Sequence, residues 1–225
     1  MDTNKIIIAF IYLIGIAFLL IFNELNYRRL DIKGEYSRKI AHFMSTLATV
    51  PFPYIFPSHW YVLVLATIFF LVLFISKKGT LLGSINNIDR LSIGSYLLPV
   101  SIYITFYISQ AVGNKLIFIL PMLILAISDP IAAIVGISLQ KYNHKIKFFG
   151  INTGKSMFGS GAFFISSLII SLIAIYFNRL VFDEKSFWLA FLVASISTVG
   201  ELVSFRGSDN ISIPLSVVLI LTFFI

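Results

Sequence analysis

The sequence predicts an all-α, polytopic transmembrane helical bundle forming a single integral membrane domain over residues 1–225, and three observations carry that reading. Of the 225 residues 58% are hydrophobic, with 23 Phe and only 10 acidic side chains. Apolar runs of roughly 18 residues or more, the length a helix needs to cross about 30 Å of hydrocarbon, recur along the whole chain. The Lys and Arg residues cluster in alternate connections between those runs, as they do when a chain threads a bilayer repeatedly. The expectation is about eight spans, or seven if the short last one does not cross, with broken helices around a polar funnel that faces the cytoplasm.

The spans fall at about 5–22, 39–57, 58–76, 93–111, 116–139, 157–177, 187–205 and 211–225. The first resembles a secretory signal but lacks a small-residue cleavage site and is followed by many more spans, so it reads as a retained helix. The second holds Pro51, Pro53 and Pro57, which predict a break. In the fifth, Pro130 follows Asp129 directly and predicts another. Such breaks are tolerated where neighbouring helices or a polar cavity take up the freed backbone groups. The sequence has no internal repeat, no low-complexity tract and no loop long enough for a soluble domain. The lack of cysteine excludes disulfides and thiolate metal sites.

Counting eight spans, one side receives Arg28, Arg29, Lys33, Arg38, Lys39, Lys77, Lys78, Arg90, Lys141, Lys145, Lys147, Lys155 and Arg206, and the other only Lys5, Lys115, Arg179 and Lys185. The richer side is expected in the cytoplasm and both termini outside. This asymmetry and anionic headgroups account for the net charge of +7, so no nucleic-acid partner is expected.

The polar residues near the spans gather on that same side. Lys39 and His42 open the second span, Asp129 lies in the inner half of the fifth, Lys155 and Ser156 precede the sixth, and Glu201 and Asp209 flank the end of the seventh. A straight helix would put Asp129 roughly 15 Å below the cytoplasmic end. An unpaired carboxylate at that depth costs several kcal/mol at least, which points to a hydrated, functional position. The plainer alternatives are structural, and for Asp129 that alternative is a carboxylate satisfied by a neighbouring helix. Lys33, Arg38 and Lys39 suit headgroup anchors, His42 a hydrogen-bonded packing residue, and Asp209 an ordinary loop aspartate. His59 and His144 read as interfacial or loop residues, Glu24 as the i, i+4 partner of Arg28, and the many Phe as lipid-facing bulk.

Segment 150–161, Gly-Ile-Asn-Thr-Gly-Lys-Ser-Met-Phe-Gly-Ser-Gly, places backbone amides, a lysine and hydroxyls just before a helix, an arrangement suited to phosphate. It is not a Walker A loop. Three residues instead of four precede its Gly-Lys-Ser, Phe149 stands at the required glycine, and no preceding strand is expected. Asp129, Glu201 and Asp209 are the carboxylates suited to holding Mg²⁺ while substrate phosphates complete its shell.

Four ordered blocks then carry a resemblance: Arg38-Lys39-x-x-His42, Asp129-x-x-Ala132-x-x-x-Gly136, Lys155-Ser156-x-x-Gly159-Ser160, and Glu201 followed by Asp209-Asn210-x-x-x-Pro214. Together they resemble the CTP-dependent lipid-alcohol kinases (phytol, farnesol and dolichol kinases and the CTP-dependent diacylglycerol kinase), closest in motif form to phytol kinase. A more distant resemblance is to phosphatidate cytidylyltransferase, whose carboxyl-terminal Lys-Asp and Gly-His-Gly-Gly run is absent here. The chain departs from the kinase pattern at Ala133, Gln140 and Phe158. What the resemblance implies is transfer of the γ-phosphate of CTP, with Mg²⁺, to a membrane isoprenoid alcohol. In that scheme Asp129 holds Mg²⁺ or accepts the hydroxyl proton. Lys155, Ser156, Gly159 and Ser160 meet phosphate, Arg38, Lys39 and His42 support nucleotide binding, and Glu201 and Asp209 are further metal candidates. Gly136 and Asn210 enter as motif positions. CDP-lipid synthesis, diacylglycerol phosphorylation and ion-coupled transport through Asp129 and Glu201 remain as alternatives.

Overall fold

Apolar run length and proline placement together decide where the helices start and stop. A computed structural model describes residues 3–29, 35–78, 82–83, 93–142, 144–148 and 151–224. In chain order these give α1 (Thr3–Arg29), α2 (Glu35–Thr49), α3 (Phe52–Ile55), α4 (His59–Lys78), α5 (Gly94–Val112) and α6 (Leu116–Ser138). A two-stranded antiparallel hairpin follows, β1 (Lys145–Phe148) and β2 (Ile151–Ser156), and then α7 (Met157–Arg179), α8 (Glu184–Leu202) and α9 (Asp209–Phe224). Among the described residues six helices, α1 and α4 to α8, are long and apolar enough to cross a membrane. The chain is a multi-pass integral membrane protein. Lys33 and Arg90, which entered the charge count, lie outside the described residues.

The expected second span is divided where its prolines stand. α2 ends at Thr49 and α3 starts after Pro51, whose ring cannot continue the hydrogen-bond ladder of the preceding turn. At 15 residues α2 covers about 22 Å, short of the hydrocarbon thickness, and the 16-residue α9 covers about 24 Å. Pro130 behaves otherwise. α6 runs unbroken through both Pro121 and Pro130, against the break expected after Asp129. Each proline there removes a single donor, and a helix packed by neighbours along most of its length absorbs that loss. The seventh span begins three residues earlier than expected, because the Asp183 carboxylate accepts the Ser186 amide at 2.8 Å and caps α8.

α6 is the axis of the bundle, in contact with α2, α5, α7 and α9, while α1 packs at the rim against α2 and α4. Outside the bundle lipid tails are as apolar as leucine, so close packing rather than water exclusion holds these helices together. The many Phe divide accordingly. Phe10, Phe18, Phe177 and Phe223 face outward as lipid-facing bulk, but Phe52, Phe56, Phe106, Phe118 and Phe163 are buried, which corrects the expectation for them. Phe52 stacks on Phe118, and Phe106 meets Phe118 edge-on, filling the space between α3, α5 and α6.

α2 sorts its side chains inversely to a soluble amphipathic helix. Lys39, His42, Thr46 and Thr49 are buried toward the bundle, whereas Tyr36, Ile40, Phe43 and Leu47 are exposed. Both stripes recur every three to four residues, one on each face of the same helix. This geometry suits a helix with lipid on its outer side and a polar interior at its back.

Candidate functional site

Two charged clusters form in one half of the bundle, where the first half of α2 meets the second half of α6, and where β2 and the first turns of α7 and α9 meet the last turn of α8. In the first, the Lys39 ammonium of α2 forms an ion pair with the Asp129 carboxylate of α6, and His42 Nε2 lies 3.7 Å from the same carboxylate oxygen. His42 Nε2–H also donates to the Leu125 carbonyl at 3.3 Å. Asp129 is 2% exposed and Lys39 7%, so the ion pair is screened from water and its members depend on each other, which corrects the expectation of a hydrated Asp129: a cation from a neighbouring helix, not water, compensates its charge. The i, i+3 spacing of Lys39 and His42 is what lets one helix present both to one carboxylate.

In the second cluster Lys155, at the end of β2, reaches Glu201 Oε1 of α8 at 2.8 Å and Asp209 Oδ2 of α9 at 3.4 Å. Ser160 Oγ of α7 donates to the other Glu201 oxygen at 3.0 Å. Burial alone would lower the Lys155 pKa, but Asp209, Glu201 and Asp129 together, with the hydrogen bond to Glu201, outweigh it and raise the ammonium above its usual range. The clusters share one electrostatic field: the charges of Lys39 and Arg38 act on Asp209 as well as that of Lys155.

The backbone explains how Lys155 gets there. The hairpin pairs Lys147 with Asn152 and Lys145 with Ser156, and an irregularity between those pairs accommodates Gly154 at φ +75°. That left-handed conformation suits glycine. This strand corrects the expectation that none precedes the lysine. The segment lacks the apolar alternation by which a strand is recognised, and Thr153 Oγ donating to the Ile146 carbonyl helps to hold it.

Ser156 and Gly159 have local tasks in this arrangement. The Ser156 hydroxyl caps α7 by accepting the Gly159 amide at 3.3 Å. A methyl on Gly159 would stand 2.8 Å from the Ala132 carbonyl, and one on Gly136 2.8 Å from Ser156 Oγ, so the two glycines let α6 and α7 touch. Asn210 Nδ2 donates to the Gly94 carbonyl at 2.7 Å, and the Ile93 amide to the Arg206 carbonyl at 2.9 Å. Those bonds fix the loop before Asp209 onto the first turn of α5. Gly94, absent from the sequence reading, is needed for that approach, because a methyl there would lie 3.0 Å from the Gly207 carbonyl. Glu24 pairs with Arg28 at 2.8 Å, as the i, i+4 spacing predicts.

Among the described residues no three His, Asp or Glu side chains lie close enough to cage a metal by themselves. The donor set nonetheless suits a hard cation. Glu201, Asp209 and the Ser160 hydroxyl offer oxygen, and the position between the two carboxylates already holds the positive charge of Lys155. Mg²⁺ typically takes one or two carboxylates and completes its shell with water and substrate phosphates.

No family model matches the chain, and no solved structure does. An uncharacterized protein of Rickettsia prowazekii (strain Madrid E) is 35% identical over 125 residues, covering 53% of this chain and 54% of that protein. The chain thus spans about half the length of the curated relative it matches.

Proposed function

We propose that the protein is a CTP-dependent lipid-alcohol kinase, transferring the γ-phosphate of CTP to a membrane isoprenoid alcohol of the phytol, farnesol, geranylgeraniol or polyprenol type. The observation that carries the reading is the convergence of the four motif blocks, far apart in sequence, on one buried end of the bundle: Lys39 with Asp129, and Lys155 with Glu201 and Asp209. Phosphoryl transfer is mainly a matter of positioning and charge neutralisation, and this set of groups suits it. Lys155 neutralises phosphate oxygens, exchanging its carboxylate partners for the incoming anion. Glu201 and Asp209 are then free to hold Mg²⁺, which when bound would shield the charge of the phosphates. Asp129, held by Lys39 with His42 beside it, accepts the proton of the attacking hydroxyl or serves as a further Mg²⁺ ligand. The lipid-facing outer stripe of α2 lets a membrane-dissolved alcohol lie near a polar interior.

CTP as the donor rests on the motif resemblance. The deciding experiment incubates purified protein with Mg²⁺, γ-labelled CTP and separate samples of phytol, farnesol, undecaprenol and diacylglycerol. Label in an isoprenoid monophosphate is the expected result. Label in phosphatidate would make the acceptor diacylglycerol, label in pyrophosphate with CDP-lipid formed would make the reaction a cytidylyl transfer, and no turnover with any acceptor would sink the enzyme reading.

A further inference from the structure

At the end of the bundle away from both charged clusters, the last turn of α7, the first half of α8 and the end of α9 line a half-open cavity of about 520 Å³. Arg179 and Lys185 stand among its lining residues, and Trp188, Leu189, Leu192 and Phe224 supply apolar surface. The volume is in the range of small-molecule sites. The acidic residues of the α7–α8 connection are not part of the lining. Asp183 accepts from the Ser186 amide at 2.8 Å and its hydroxyl at 2.6 Å, and Glu184 accepts from Trp188 Nε1 at 3.2 Å. Arg179 reaches Asp183 at 3.3 Å, while Lys185 makes no ion pair among the described residues. The charged side chains of the cavity are therefore both cations, and its remaining wall is mostly apolar.

We propose that this cavity binds one anionic glycerophospholipid of the surrounding leaflet, with the headgroup phosphate against Arg179 and Lys185 and an acyl chain along Leu189, Leu192 and Phe224. Lys185, and Arg179 on exchanging its exposed partner Asp183 for the incoming phosphate, favour an anion, and the apolar wall selects an anion that carries a hydrocarbon chain. The position suits such a ligand. Trp188, Phe182 and Phe177 are exposed around it, the composition of an interfacial belt where headgroup and chain regions meet. The site lies apart from Asp129 and Lys155 and does not depend on the reaction proposed for them.

The protein's tryptophan content makes the proposal measurable, since Trp60 and Trp188 are its two tryptophans. Full-length Trp60→Phe protein, in which Trp188 is the sole indole emitter, is reconstituted in vesicles mixing phosphatidylcholine with phosphatidylglycerol. One lipid or the other carries dibrominated acyl chains that quench indole fluorescence. The expected result is a relative binding constant at Trp188 of about fivefold or more in favour of phosphatidylglycerol. It should fall toward unity in Arg179→Gln/Lys185→Gln, and part of the way in Lys185→Gln alone, an exposed position that the fold tolerates. Trp60, read in a Trp188→Phe background, should show no preference. Equal quenching of Trp188 by the two lipids overturns the proposal, and so does the same preference at Trp60, which would mean surface enrichment without a site.

Discussion

Asp129 is the side chain with most at stake, because it is buried at membrane depth and held by a lysine from another helix, with a histidine of that helix beside it. Asp129→Asn keeps its volume and removes its charge. In the proposed reaction the rate per correctly folded molecule should fall at least ~100-fold, the size of effect expected when a positioned acid–base or charge-stabilising group is lost, while the uncompensated Lys39 also lowers the amount of folded protein. Retention of most activity in an assay of equal protein amounts would make Asp129 structural. Lys155 offers a sharper comparison. A compact ammonium between two carboxylates cannot be replaced by a planar guanidinium without displacing one of them, so Lys155→Arg should lose most turnover. Lys145→Arg, at an exposed position of the same hairpin, should keep it; equal rates in the two variants would return Lys155 to the ordinary basic residues of that end. Its titration can be read directly as well. Because the folded-state pKa is raised, the stabilisation from charged Lys155 is complete below the ordinary lysine value near 10.4 and is lost only as pH rises through the raised one. An amine-acylating reagent at pH 9 should therefore modify Lys145 and spare Lys155, and Glu201→Gln should make Lys155 more reactive while leaving Lys145 as it was. Unchanged protection in that variant would count against Glu201 as a cause of the shift.

Among the elements, the contact of α6 with α7 sets the distance between the two charged clusters. Gly159→Ala would drive a methyl against the Ala132 carbonyl, a backbone atom that cannot swing away, and against the hydroxyl that caps the helix. A loss of about 1–3 kcal/mol is expected, read as a lower thermal midpoint in detergent, whereas Gly161→Ala, with nothing within 4 Å, should be silent. Equal midpoints for the two would mean that α7 moves outward at little cost. The spans were legible in the sequence because hydropathy is a local, contiguous signal, and α4, α5 and α6 begin and end within two residues of expectation. The hairpin was not, since Ile151-Asn152-Thr153-Gly154-Lys155-Ser156 reads as a glycine-containing turn and is ordered by pairing with another segment. The continuity of α6 through Pro130 was hidden for a related reason: the packing that tolerates the proline comes from other helices. For the candidate site, the sequence offered the residue types and their order. It did not offer the pairings, because Lys39 and Asp129 are 90 positions apart and Lys155 and Asp209 are 54 apart. Gly94 was missed altogether, having no neighbour in sequence that hints at the loop resting on it.

At the scale of the whole molecule, the charge asymmetry predicts the orientation. Single cysteines at His144 and Ser208 should react with a membrane-impermeant thiol reagent from the cytoplasmic side, and those at Ser58 and Asn178 from outside. The reverse pattern would place both charged clusters away from cytoplasmic CTP and remove the kinase reading with it. Removal of Mg²⁺ by chelation has meaning only once that orientation is known, because the chelator must reach the same side. The inverted stripes of α2 bear on how the chain is made. A segment carrying Arg38, Lys39 and His42 has little tendency to span a bilayer on its own, and the carboxylate that neutralises Lys39 is translated 90 residues later. While the ribosome is still working on α4 and α5, residues 35–49 lack their partner and belong at the membrane surface; they can settle against the bundle only after α6 has arrived. The insertion of this protein is therefore not strictly sequential, and the half-built chain must wait, with an early helix outside, for a late one to admit it.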